Sequence, residues 1–147
     1  MGGIVFTIMH RTSKAGFGRC AKPGNGVKCM FTAGELKQEI LRIYNAINKQ
    51  VFSVGVRQQH VDFVGNKILI LSSNTRTPIL RQLSESHAEI IRQMDCLLTE
   101  TFKQLLAKAL KEQLQLHILT LFKDYDAVTE LSGTVVVLDR DVSVYHD

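Results

Sequence analysis

The sequence predicts an α+β fold: a single domain with a four-stranded, mostly antiparallel sheet of two hairpins, covered by a long helix and an N-terminal helix. Three observations predict it. His87 to Leu116 contains no Gly or Pro and repeats apolar residues every three or four positions, the amphipathic helix period. Val61 and Phe63 alternate with polar neighbours, and Gly65-Asn66 then separates them from the apolar run Lys67–Leu71, a hairpin signature. Near the C-terminus, Gly133–Leu138 is a β-branched run that disfavours helix. The order helix, hairpin, short helix, long helix, hairpin gives a layered α+β domain.

The first helix is signalled by Thr32 and Glu35, spaced as a capping box, with Leu36, Ile40, Ile43, Tyr44 and Ile47 on one face as far as about Lys49. Gly55 marks a turn before the first strand, expected at about 57–64. The second strand, about 67–73, is apolar on both faces and so belongs inside the sheet. Thr77-Pro78 sets an N-cap beside a first-turn Pro and starts a short helix of about 78–84.

The long helix opens on Ser86 and Glu89, a second S-x-x-E spacing. One apolar row is Ile91, Met94, Leu98, Phe102, Leu105 and Ala109; a second is Ile90, Leu97, Leu106, Leu110 and Leu114. At 1.5 Å per residue this helix would span about 45 Å, so it crosses the whole domain, protrudes, or breaks once. Two apolar rows exceed the stripe that covering a sheet requires. A homodimer through the long helix is therefore expected, with Leu110 and Leu114 near its far end in the contact. A strand at His117–Phe122, a long connection Lys123–Ser132 and the last strand follow, and Asp139–Asp147 is expected to fray. Cys96, in mid-helix, reads as a small buried hydrophobe.

Charge is uneven along the 147 residues. The net charge of +4 arises in residues 1–34, which hold five Lys or Arg and no Asp or Glu. The remaining 13 basic residues face all 14 acidic ones. The same tail carries seven of the ten glycines and no sustained period, so residues 1–31 are expected to be disordered or loosely attached, and 32–147 to be the domain. The tail is too weakly apolar for a secretory signal. It lacks acids as an organelle presequence does but is not clearly amphipathic, and Met30 is an alternative natural start. No apolar run approaches the 18 residues of a membrane span.

Catalytic, cofactor-binding and metal residues are all expected to be absent, and no cofactor is implied. Cys20, Cys29 and Cys96 lack metal or redox spacing, and the five histidines are scattered singly. Pro23–Lys28 lacks the phosphate-loop spacing. Lys123-Asp-Tyr-Asp126 reads as a loop with solvated charges rather than as an acid–base pair. Arg57, Arg76 and Arg81 flank the first hairpin as a modest basic patch, without the aromatic platform of an RNA-binding sheet.

The segments GELKQEILRIYNAINKQ, VDFVGNKILIL, RTPILRQL, the long helix and ILTLFKDYDAVTELSGTVVVL together resemble the small bacterial MpsC family. That family is named for a proposed Na+-translocating, membrane-potential-generating system. The resemblance covers about Gly34 to Asp139 and leaves the tail outside. Members carry a Gly-Lys/Arg-Gly-Pro turn before the first strand; here that place reads Ser53-Val-Gly-Val56, so any role of the turn does not carry over. The resemblance implies a soluble, cytoplasmic component accompanying a membrane system for cation or bicarbonate movement, with a membrane-protein partner and no active site. The leading expectation is thus a non-enzymatic accessory or regulatory protein acting by protein association. The alternative is a small nucleic-acid- or nucleotide-binding module using the basic tail and the three arginines, though the near-neutral domain argues against nucleic acid as a partner.

Overall fold

The computed structural model describes residues 31–147 except 84 and 85. The expectations for the tail lie outside the described residues, apart from Phe31, whose carbonyl accepts the Asp147 N–H at 2.9 Å. The elements are α1 (Ala33–Phe52), β1 (Val56–Val64), β2 (Lys67–Asn74), α2 (Pro78–Leu83), α3 (Ala88–Leu114), β3 (Ile118–Asp126), β4 (Leu131–Leu138) and a 3-10 turn, Val142–Tyr145. The sheet order is β1-β2-β4-β3, every pairing antiparallel. The α+β class, the four strands and both helices are as predicted, and β2 is internal.

α1 begins on the expected box: the Thr32 side chain accepts the Glu35 N–H, and the Glu35 carboxylate accepts the Thr32 N–H at 2.7 Å. Its apolar face, Leu36, Ile40, Ile43, Tyr44 and Ile47, is buried. Ser53 ends it in the left-handed conformation, φ +59°, with its N–H on the Lys49 carbonyl. The first hairpin turns at Gly65, φ +57°, the left-handed residue that a two-residue loop needs. Asn66 anchors that turn to β4, its amide donating to the Leu138 carbonyl at 3.0 Å.

α3 is one unbroken helix of 27 residues. The second capping box does not form. The helix starts one residue later than expected, and Ser86 Oγ lies 2.8 Å from His87 Nδ1 instead of bonding a backbone N–H. The apolar rows also separate differently. Phe102, Leu106, Ala109, Leu110 and Leu114 are buried against α1 and the sheet, so Leu110 and Leu114 belong to the intramolecular core. Between Ala88 and Thr101 only Ile91 is buried, and Ile90, Met94 and Leu97 stand exposed. The surplus apolar surface exists, but on the first half of the helix, on the side turned away from Ile91 and the Arg76–Asp95 pair. Cys96 lies in that half and is exposed rather than buried.

Two further corrections concern the C-terminal third. β3 continues to Asp126 and β4 begins at Leu131, so most of the connection read as Lys123–Ser132 is strand, and Lys123-Asp-Tyr-Asp126 is not a loop. The last residues do not fray: Val142 is buried and its N–H bonds the Gly65 carbonyl at 2.9 Å. Tyr145 donates its hydroxyl to Asp139 at 2.7 Å, and His146 stacks on Phe63.

Register divides the sheet residues into two faces. Against the helices lie Val61, Ile68, Ile70, Leu121, Val136 and Leu138 at one end, and Ser72, Asn74, Ser132, Thr134, Lys123 and Tyr125 at the other. The opposite face has no covering element among the described residues. It presents Leu71, Phe122 and Leu131, 62%, 59% and 53% exposed, with Leu69, Val135 and Val137 half-buried between them.

Candidate functional site

The helix-facing polar end of the sheet is built by strand alternation. On β3, Leu121, Lys123 and Tyr125 point toward the helices while Phe122, Asp124 and Asp126 point away. Alternation thus parts Lys123 from the two carboxylates beside it in sequence, which share the outer face. Lys123 is drawn inward and donates to Ser132 Oγ at 2.6 Å and to the Tyr44 hydroxyl at 2.9 Å. Its Nζ also lies 4.3 Å from the Phe102 ring centre and 5.2 Å from that of Tyr44. Tyr44 and Phe102 meet edge to face, 5.1 Å apart. Ser72 Oγ and Thr134 Oγ1 each lie 3.2 Å from the Tyr44 hydroxyl. Burial by itself would raise the Tyr44 phenol; the Lys123 charge, with hydrogen bonds from Lys123, Ser72 and Thr134, outweighs it and holds the phenol below its usual range.

One helical turn beyond Tyr44, Asn48 extends this polar layer. Its amide donates to the Val54 carbonyl at 2.8 Å, so its Oδ1 must face the other way, where it accepts from Asn74 Nδ2 at 3.2 Å. A backbone carbonyl only accepts, so this relay fixes both amides. It leaves Asn74 Oδ1 without a partner among the described residues. Beside it opens a cleft of about 380 Å³, walled by Phe52, Asn74, Arg76, Cys96, Lys123 and Tyr125. Arg76 pairs with Asp95 of α3 beside this cleft, its Nε without a partner among the described residues. The Tyr125 phenol is raised, first by burial and then by the Glu130 charge.

The three arginines of the expected basic patch do not present bare charge. Arg57 and Arg81 both pair with Glu130, at the start of β4, and Arg76 pairs with Asp95. Sequence reasoning missed Tyr44, Ser72, Lys123, Ser132 and Thr134 as one cluster, since they come from three strands and a helix. Its one visible trace is the alternation of Leu121, Lys123 and Tyr125. Among the described residues no three His, Cys, Asp or Glu side chains gather as metal ligands, and no helix is long and apolar enough to cross a membrane.

Residues 32–140 match the family described as Na+-translocating membrane potential-generating system (MpsC). The chain belongs to the MpsC family. The span matched to MpsC takes in α1 through β4, and so includes the Tyr44–Lys123 cluster, all of α3 and the whole sheet. No curated protein and no solved structure matches the chain.

Proposed function

We propose that this MpsC-family chain is a non-enzymatic accessory component of a Na+-translocating, membrane-potential-generating system. It acts on the cytoplasmic side by binding other proteins, a second copy of itself among them. The observation that carries the reading is the exposed apolar strip on the first half of α3. Ile90, Met94 and Leu97 follow the i, i+4, i+7 spacing along one face and are exposed. The sequence places apolar side chains where the fold buries almost nothing, and helix-in-groove recognition uses such anchors. The Tyr44–Lys123 cluster fits a structural role in this reading, because Lys123 spends its N–H groups on two hydroxyls and two rings.

The experiment is sodium-dependent membrane potential in the native host with the gene deleted. Complementation by the wild type, and its failure with a Leu97→Glu chain that keeps wild-type melting, is the expected result. An unaltered potential after deletion, or full rescue by Leu97→Glu, overturns the reading.

A further inference from the structure

The sheet contradicts the usual division of strand faces. Ser72 and Ser132 are 2% and 1% exposed beneath the helices, while Leu71 and Leu131, their chain neighbours, point into solvent. A strand with serine inside and leucine outside has both faces committed: the inner one to the Tyr44 layer, the outer one to something that covers it.

The outer face is organised in cross-strand rows. One row runs His60–Leu71–Gly133–Asp124 across β1, β2, β4 and β3. The row beside it runs Asp62–Leu69–Val135–Phe122. The first is a pattern that complements itself when reversed. At one end is an imidazole and at the other a carboxylate. Between them lie a projecting leucine and a glycine over which the face is open: a Cβ there would meet only Leu71 Cδ2, at 3.9 Å.

We propose that two copies of this chain stack through these open faces, about a two-fold axis lying along the strands between β2 and β4. That axis sets each row on the same row of the partner, reversed. Each Leu71 then enters the gap above Gly133 of the other copy, and His60 meets the carboxylate of Asp124 at both ends. A two-fold axis across the strands would instead set Leu71 on Leu69, side chain against side chain, and not in the gap above Gly133; either axis sets one carboxylate, Asp62 or Asp124, against the Phe122 ring, so the Leu71–Gly133 fit selects the axis. Asp62, at the β1 edge, keeps Lys37 and His60 as partners. Four strands about 4.8 Å apart and seven residues long offer roughly 450 Å² per copy, so the pair buries about 900 Å², the size of a weak, reversible interface. Aligned sheet packing at about −30° accommodates the twist of both sheets. This places the self-association of the proposed function on the sheet, and it rests on that reading only there; the α3 strip is left free for another partner.

The test uses the full chain. Sedimentation equilibrium between about 1 and 100 μM is expected to give the dimer mass. Leu71→Glu is expected to give a folded monomer with unchanged far-UV dichroism, because that side chain leaves the core untouched. A monomeric wild type, or a Leu71→Glu chain that stays dimeric, overturns the proposal. The axis is read by oxidation in a Cys20→Ser, Cys29→Ser, Cys96→Ser background. Mixing Leu71→Cys chains with Gly133→Cys chains is expected to give mainly the mixed disulfide. Preferential coupling of Leu71→Cys to itself overturns the strand-parallel axis. Either result leaves the membrane-potential experiment unaffected, so the two readings fail separately.

Discussion

Lys123 Nζ lies 2.9 Å from the hydroxyl of Tyr44, joining β3 to α1 across the polar end of the sheet. Seventy-nine positions separate the two, and the contact holds a cation against two aromatic rings and one further hydroxyl, that of Ser132. The balance of this cluster decides its response to substitution and to pH.

Tyr44→Phe removes the hydroxyl on which Lys123, Ser72 and Thr134 converge, and leaves those buried partners short of a hydrogen bond. A loss of about 1–3 kcal/mol is expected in urea unfolding. The phenol of Tyr44 is lowered in the folded chain, so between its folded value and the unfolded value of 10.0 the unfolded chain binds more protons. The wild type should therefore gain stability over Tyr44→Phe as pH rises toward 10. A difference between the two chains that shrinks as pH rises toward 10 refutes this assignment.

Acid acts at other points. Glu35, Asp126, Asp139 and Asp141 are all lowered, chiefly by hydrogen bonds from Thr32, Thr129, Tyr145 and Ser143 respectively. Stability from them is present above the ordinary carboxylate range and is lost as pH falls through their folded values. Thermal melting should hold steady from pH 7 to 5 and drop below about pH 4. Glu35→Gln should melt lower at pH 7 and show a shallower acid decline.

The two halves of α3 should respond oppositely to the same change. Leu110→Ala empties a core position and is expected to cost about 2–5 kcal/mol. Leu97 is exposed, and Leu97→Ala should stay within about 0.5 kcal/mol of the wild type. Equal losses at both sites, measured by urea unfolding, would show that the first half of the helix packs intramolecularly.

Cys96 probes the same half of the helix from its cleft side. In a Cys20→Ser, Cys29→Ser chain, a thiol reagent should label Cys96 in the folded state at a rate close to that in urea, because the residue is exposed. Protection by orders of magnitude would place it in a contact.

Ser53 closes α1 with a positive φ that a side chain adopts at a cost. Ser53→Gly is expected to raise stability by roughly 0.5–1 kcal/mol, read as an upward shift of the melting midpoint.

The sequence by itself determined the element order, the α+β class and the internal place of β2, because helical and strand periods are local and β2 is apolar on both faces. The Thr32–Glu35 cap was legible for the same reason: its partners lie three residues apart. The Ser86–Glu89 spacing was equally visible yet formed no cap, since a spacing does not say at which residue the helix begins. Only the tertiary structure decided which apolar residues of α3 are core. Leu110 and Leu97 look alike in a helical pattern, and what separates them is that α1 and the sheet reach one and not the other. The Tyr44–Lys123 cluster and the His60–Leu71–Gly133–Asp124 row were likewise out of sight, because each is assembled by strand register. Pairing β2 with β4 brings together residues 58 to 70 positions apart, and no local period encodes that distance.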